Sequence, residues 1–284
     1  MIDRAILECG AIVTGAAGGL GRAMAQGLSA AGHHVLLADI DGEAARMAVE
    51  TLSQASDAAR PGRLHAIACD ITRAEDCERA VKTALDTFGR LDLLVNNAAL
   101  GQVHIERSPR STSFRFWEAD REVWQRTIAV NVNGTFLMSH TAAPAMVKQG
   151  WGRIVNITTS LDTMQRAENS LYGVSKAAIE AETLIWAQDL AGTGVTVNSL
   201  IPGGAADTAF VSDHSRASIL ARGRTLLPPK VMIPPLLWLA SRASDGFTGR
   251  RFVAKLWDES LPPSEAAQRA IEAPVIRESD RRGG

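Results

Sequence analysis

Short apolar runs bounded by Gly, Asp or Asn recur along this chain, and each is followed by an alanine-rich stretch with helical periodicity. Residues 11–13, 34–38, 64–68, 91–95, 153–158 and 195–200 read as strands, with helices over 21–31, 43–53, 73–88 and 172–190. Residues 123–149 read as one further, long helix. Strands that are apolar throughout are buried on both faces. Their alternation with helices therefore predicts a parallel sheet covered on each side, whose ligands bind at the carboxyl ends of its strands. No stretch reads as a linker between two cores, so one domain is expected over residues 1–257, with the polar residues 258–284 as a C-terminal tail. Two long connections should border the ligand edge. One, near 100–121, carries His104, Pro109, Phe114, Phe116 and Trp117. The other, near 208–235, carries two Pro-Pro pairs with Leu226, Leu227, Val231 and Ile233, and reads as a mobile apolar cover.

Composition narrows the partners. With 46% hydrophobic and 21% charged residues, a chain of 284 residues can bury a sizeable core. Thirty basic residues against 31 acidic ones leave a formal charge of −1, which argues against nucleic acid or anionic lipid as a partner. No apolar run approaches the roughly 18 residues needed to span a bilayer, and Met1-Ile2-Asp3-Arg4 lacks a signal-peptide pattern, so a cytoplasmic protein with no membrane association is expected. Cys9, Cys69 and Cys77 are odd in number and unpaired in spacing, which suits reduced thiols. The six histidines form no His-x-x-x-His pair, and no metal site is expected.

The first strand runs into Thr14-Gly15-Ala16-Ala17-Gly18-Gly19-Leu20-Gly21 and then a helix. Glycines there permit positive φ and close approach of the backbone to a pyrophosphate, which the helix N-terminus stabilises. Asp39 ends the second strand, 18 residues beyond Gly21, where a carboxylate accepts hydrogen bonds from ribose hydroxyls and repels a 2′-phosphate. Neither Ala16 nor Ala17 supplies a compensating cation, so NAD is favoured over NADP. Asp70, after the third strand, is placed to receive the adenine amino group. Tyr172, the one tyrosine of the chain, precedes Lys176 by four residues. On a helix that gap sets the ammonium one turn from the phenol on the same face, where it favours the ionised form and makes a proton donor and acceptor.

Thr14-Gly15-x-x-x-Gly19-x-Gly21, Asn96-Asn97-Ala98-Ala99, Asn131 before Val132-Asn133-Gly134, and Tyr172-x-x-x-Lys176 stand in one order over roughly residues 6–250. Together they resemble the short-chain dehydrogenase/reductase family. The resemblance implies a single Rossmann-type α/β domain, a doubly wound parallel sheet of about seven strands, assembled as a homotetramer or homodimer through its long helices. It implies Tyr172 as general acid/base, Lys176 binding the nicotinamide ribose and lowering the phenol's pKa, and Asn131 holding a relay water. It carries Asn97 and Ala98 to the cofactor ribose, Asp70 and Ile71 to the adenine, and Leu20, Pro202, Gly203, Ala205 and Thr208 to the rest of the cofactor.

The chain departs from the family pattern at several points. Where the family has a serine thirteen residues before the tyrosine, this chain has Thr159, with Ser160 beside it. Either hydroxyl can donate to a developing oxyanion, and position favours Thr159. Asn-Asn-Ala-Gly has become Asn-Asn-Ala-Ala, an added glycine displaces Thr208 by one residue, and Lys255-Leu256-Trp257-Asp258 replaces the Asp-Gly-Gly ending. The implied activity is interconversion of a small secondary alcohol and its carbonyl by hydride transfer with NAD. Two other readings stand beside it: a non-catalytic nucleotide-sensing or scaffold protein on the same fold, and a methyltransferase that uses the Gly-rich turn for S-adenosylmethionine.

Overall fold

The computed structural model describes residues 9–55, 58–101 and 115–274; His104, Pro109 and Phe114 lie outside the described residues. The strands form where the apolar runs placed them. They are β1 (Gly10–Thr14), β2 (His34–Asp39), β3 (Leu64–Ala68), β4 (Leu93–Asn96), β5 (Gly152–Ile157), β6 (Val195–Ile201), β7 (Arg251–Val253) and β8 (Ile271–Glu272). They join in one sheet of order β3-β2-β1-β4-β5-β6-β7-β8. Neighbours from β3 to β7 run parallel, and β8 pairs antiparallel with β7. The chain is thus an α/β, doubly wound Rossmann-type fold.

Alternate residues of single strands feed two separate cores. Ala11, Val13, Val35, Leu37, Leu93 and Val95 point to one face of the sheet, and Ile12, Leu36 and Leu94 to the other. This is why the strands carry apolar residues at consecutive positions, each buried side chain contributing about 1.5–3 kcal/mol. On the first face lies α1 (Gly19–Ala30), with Met24, Ala25 and Leu28 in the core. On the second lies α3 (Ala74–Phe88), which follows α2 (Gly42–Gln54) in the chain.

Three expectations are corrected. The long helix over 123–149 is interrupted. It forms as α4 (Arg121–Ile128), a π-helical segment Ala129–Gly134, and α5 (Thr135–Gln149). The wide turn accompanies the tethering of the Asn131 side chain to Leu100 and Ser175, as described below. After β5 come α6 (Leu161–Gln165) and α7 (Ser170–Asp189).

The expected mobile cover is also largely built into the fold. Ala206 bridges Leu227, α8 covers Asp213–Ala221, and α9 covers Ile233–Leu239. Val231 packs against the first core, and a Cβ at Gly27 of α1 would collide with Ile233, so these two apolar residues face α1. Phe116 and Trp117 form an edge-to-face pair and stay 72% and 68% exposed.

The third correction concerns the tail. Residues 263–272 form α10 (Pro263–Ala270) and β8, which supplies the strand beyond the seven that the family resemblance implied. Composition hid α10, because its polar side chains face solvent while Ala266 is buried and Ala267 and Ala270 pack into the first core. Among the described residues no helix is long and apolar enough to cross a membrane. Ala267→Asp should therefore destabilise the whole domain by about 3 kcal/mol, an unpaired charge being forced into the core, and lower the thermal midpoint by roughly 6–12 °C. Calorimetry in which the midpoint stays within a degree of wild type would show α10 to be a loose appendage.

Candidate active site

At the carboxyl ends of β1 and β4, one hydroxyl and one amide fix the Gly-rich turn. Thr14 Oγ1 donates to Val95 O (3.3 Å) and accepts from the amides of Asn97 and Ala98 (both 3.0 Å). Asn97 Nδ2 donates to Thr14 O (2.9 Å) and Gly15 O (3.0 Å). Gly15 and Gly19 hold φ of 62° and 55°, in the left-handed region. A Cβ at Gly21 would press on Asn97 Nδ2 at 2.6 Å, so Asn97, Ala98 and the turn are one packed unit. Gly18 leads into α1 with open space around it, and Gly19 faces Thr208, whose side chain is 3.5 Å from where a Cβ would be. Leu20, half-buried, packs against the first core. The open backbone at a helix N-terminus fits a pyrophosphate.

Asp39 closes this cradle from β2. Its Oδ2 accepts from Ala17 N (3.0 Å) and its Oδ1 from Asp41 N (3.1 Å), which leaves the carboxylate at the rim of the turn. Asp70, after β3, uses Oδ1 to accept from the Thr72 amide (3.0 Å) and hydroxyl (2.7 Å). Ile71 is buried against Gly134 of the π-helical segment. Beyond β6, Pro202 O accepts from Lys255 N (3.1 Å), Gly203 takes φ of 86°, and Ala205 O accepts from Leu227 N (2.8 Å).

The half of the site that holds Tyr172 and Lys176 lies between β5 and α7. Tyr172 is the third residue of α7, so its phenol sits at the partly positive end of the helix, which favours an anion. The Thr159 side chain lies close enough to its hydroxyl to lower the phenol's pKa. Ser160 is spent elsewhere, as N-cap of α6: its oxygen accepts from Thr163 N (3.3 Å) and pairs with Thr163 Oγ1 (2.9 Å). Lys176 is 3% exposed, donates from Nζ to Ile157 O (2.8 Å), and lies 5.8 Å from the Tyr172 ring centre. Burial pushes its ammonium down to about 8, and the carboxylate of Glu180, one turn on, opposes the fall. Burial likewise raises the Tyr172 phenol above its ordinary value, and the Thr159 hydrogen bond counters part of that rise. In this structure, then, burial sets the direction, and the lowering expected from the ammonium is not seen.

Asn131 links the two halves. Its Nδ2 donates to Leu100 O (3.0 Å) and Ser175 Oγ (2.9 Å), while its Oδ1 accepts from Leu100 N (2.7 Å). Ser175 Oγ in turn donates to Tyr172 O (2.8 Å). Three residues near the site escaped the sequence reading. Phe210 has its ring centre 5.9 Å from that of Tyr172, and a Cβ at Gly101 would run into its ring. Its signal was an aromatic two residues after Thr208. Glu180 and Arg251 form a buried ion pair behind Thr159. Their signal was a carboxylate eight residues after Tyr172 and an arginine inside an apolar strand.

A dinucleotide cradle joined at strand ends to a Tyr-Lys proton site defines an oxidoreductase that uses a nicotinamide cofactor. The comparisons give the same class: the family model described as short chain dehydrogenase matches residues 10–218. The chain belongs to the short-chain dehydrogenase/reductase family. It is 33% identical over 213 residues to a short-chain type dehydrogenase/reductase of Picea abies, covering 74% of this chain and 76% of that one. It is 35% identical over 193 residues to a 3-oxoacyl-[acyl-carrier-protein] reductase of a Synechocystis strain, covering 68% and 72%. The crystal structure of a 3-ketoacyl-(acyl-carrier-protein) reductase from Brucella melitensis complexed with NADH superposes with a TM-score of 0.72 at 27% identity, over 85% of this chain and 94% of that one.

The electrostatics of Lys176 can be read directly. In protein labelled with [13Cε]lysine, one signal should titrate near pH 8, well below the ordinary lysine value, and be missing in Lys176→Met. Glu180→Gln removes the carboxylate that supports the charge, so the midpoint should move to lower pH. A midpoint that moves upward would overturn this account of the cluster.

Proposed function

We propose that the protein interconverts a small secondary alcohol and its carbonyl with NAD as the hydride partner, Tyr172 acting as general acid/base. The observation that carries the reading is the arrangement of three groups: a phenol beside the Thr159 hydroxyl, with a buried ammonium one helical turn behind it. The nicotinamide, when bound, supplies the hydride acceptor or donor. What the chain does is hold an oxygen and move a proton. In the oxidation direction Thr159 donates to the substrate oxygen while Tyr172 Oη takes the hydroxyl proton. In reduction Tyr172 returns that proton to the carbonyl oxygen. Lys176 contributes a fixed positive charge behind the phenolate, and Asn131 fixes α7 against the end of β4 and holds the relay water. Ser160, committed to its cap, leaves the oxyanion role to Thr159.

The cofactor is carried by Thr14, Gly15, Gly19, Leu20 and Gly21 at the pyrophosphate and by Asp70 and Ile71 at the adenine. Asn97, Ala98 and Lys176 serve the ribose, and Pro202, Gly203, Ala205 and Thr208 the nicotinamide side. Asp39 at the rim of the turn supports NAD over NADP, because a carboxylate there accepts from two ribose hydroxyls and repels a 2′-phosphate. Phe210 against Tyr172, with Leu227 near Gly204, supports a rather apolar or ring-bearing substrate. Three buried free cysteines suit a cytoplasmic setting. Trp124, Phe136 and Ile185, exposed on α4, α5 and α7, suit assembly of a homotetramer or homodimer through the long helices.

Incubation with NAD and a panel of secondary alcohols, sugars included, tests the reading. Growth of the reduced-nicotinamide absorbance band is expected with apolar alcohols. Nucleotide binding with no growth on any of them would favour the sensing or scaffold reading, and binding of S-adenosylmethionine in place of NAD the methyltransferase one. Tyr172→Phe should lower turnover by about a thousandfold or more while leaving NAD affinity within about twofold of wild type. Turnover within tenfold of wild type would remove Tyr172 from the mechanism.

A further inference from the structure

The last residue of β5 and the two threonines that follow it are each fastened from behind. Ile157 O accepts from Lys176 Nζ (2.8 Å), Thr158 Oγ1 donates to Glu180 Oε1, and Thr159 O accepts from Arg251 Nη2 (2.8 Å). Lys176 and Glu180 follow Tyr172 at four-residue intervals, so all three lie on one face of α7. Arg251 comes from β7, is 2% exposed, and directs all three guanidinium nitrogens to different elements. Nη1 meets Glu180 Oε1, Nη2 meets Thr159 O, and Nε meets Glu272 Oε2 (3.3 Å) on β8.

A guanidinium is the group suited to this position, because its planar fork serves several acceptors in fixed geometry and it stays charged when buried. Burial of a bare cation here is costly, and Glu180, itself 3% exposed, offsets that cost. The fork therefore does more than neutralise. It sets the backbone of the residue whose hydroxyl faces the phenol.

We propose that Arg251 is a positioning residue: held by Glu180 and Glu272, it fixes the Thr159 backbone so that the Thr159 hydroxyl faces Tyr172. The inference rests on the reading of Thr159 and Tyr172 given above. It reaches past the catalytic motif to a strand and a C-terminal segment that the motif does not include. Arg251 touches neither substrate nor cofactor and acts through Thr159.

The single tyrosine provides a probe that does not depend on turnover. With [13Cζ]tyrosine the protein gives one line, from Tyr172, that reports the hydrogen bond to its oxygen. Spectra are recorded without added nucleotide. Thr159→Val should move the line, and Arg251→Lys, which keeps the charge but loses the fork, should move it in the same direction. Arg153→Lys is the control for simple destabilisation. Arg153 is equally buried, but at the opposite end of β5 with Asp245 and Ser244, so its line should stay at the wild-type position. On an alcohol that wild type oxidises, Arg251→Lys should lower kcat by about ten- to a hundredfold with NAD affinity unchanged.

Should Arg251→Lys fail to fold, Glu272→Gln serves instead. Glu272 is 47% exposed, so its loss leaves no buried charge unpaired, and a smaller shift of the same sign is expected. A Tyr172 line that superposes on wild type in Arg251→Lys, or in Glu272→Gln if that variant is the one measured, overturns the proposal. Turnover retained by Tyr172→Phe would instead overturn the reading of the reaction, and would leave the spectral comparison of Arg251 intact.

Discussion

The Lys176 ammonium is almost wholly removed from water, and an ammonium in that position costs several kcal/mol unless the surrounding groups compensate. Its compensation comes from one backbone carbonyl at the end of β5 and one carboxylate a turn along α7. That carboxylate, Glu180, is shared with Arg251 and with the Thr158 hydroxyl. Two buried cations therefore stand against one buried carboxylate, with the phenol of Tyr172 alongside. An ionised Tyr172 would bring the inner cluster to neutrality. The residual positive charge would favour the ionised phenol, whereas burial favours the protonated one.

Such a cluster needs a scaffold in which strand ends and a helix face meet in fixed register. A parallel sheet supplies one, because every strand from β1 to β7 ends at the same edge. The Thr14–Asn97 clamp joins β1 to β4, Asn96 and Asn156 pair across β4 and β5 through a side-chain amide hydrogen bond of 2.8 Å, and Asn156 reaches Thr183 on α7 at 2.9 Å. These buried amides and hydroxyls bond to one another, Asn96 Oδ1 alone among them lacking a partner, and so specify the register of this layer. The Gly-rich turn and the helix that carries Tyr172 and Lys176 are in this sense joined by one hydrogen-bonded layer.

What the sequence made legible follows from this organisation. Strands apolar at every position, a Gly-rich turn with Asp39 at the next strand end, and Tyr172 four residues before Lys176 are local patterns, and each lies where its pattern placed it. The π-helical segment was not legible, because it goes with the tethering of Asn131 to Leu100 and Ser175, neither adjacent in sequence. The choice between Thr159 and Ser160 was open for a similar reason. It turns on whether a hydroxyl caps α6 or faces a ring, which spacing alone does not encode. The helix over Pro263–Ala270 was masked by its own amphipathicity, eight residues being too few for alanine burial to stand out from a polar background.

The unusual C-terminal region and the arginine inside β7 are best understood as one change. The Asp-Gly-Gly ending of the family is absent, and the chain instead folds through α10 into β8, which lies antiparallel on β7 with Arg251 opposite Glu272. Without that strand β7 would be an edge three residues long, and the inner charge of Arg251 would lie next to solvent, where water competes for its fork. With it, Arg251 is covered on its outer side by a carboxylate and on its inner side by Glu180, so all three nitrogens are directed and Thr159 is held at 2.8 Å. A charge that the core of a sheet would otherwise reject thus becomes tolerable because the segment after residue 258 closes over it, and the same closure ties the end of the chain to the hydroxyl beside Tyr172.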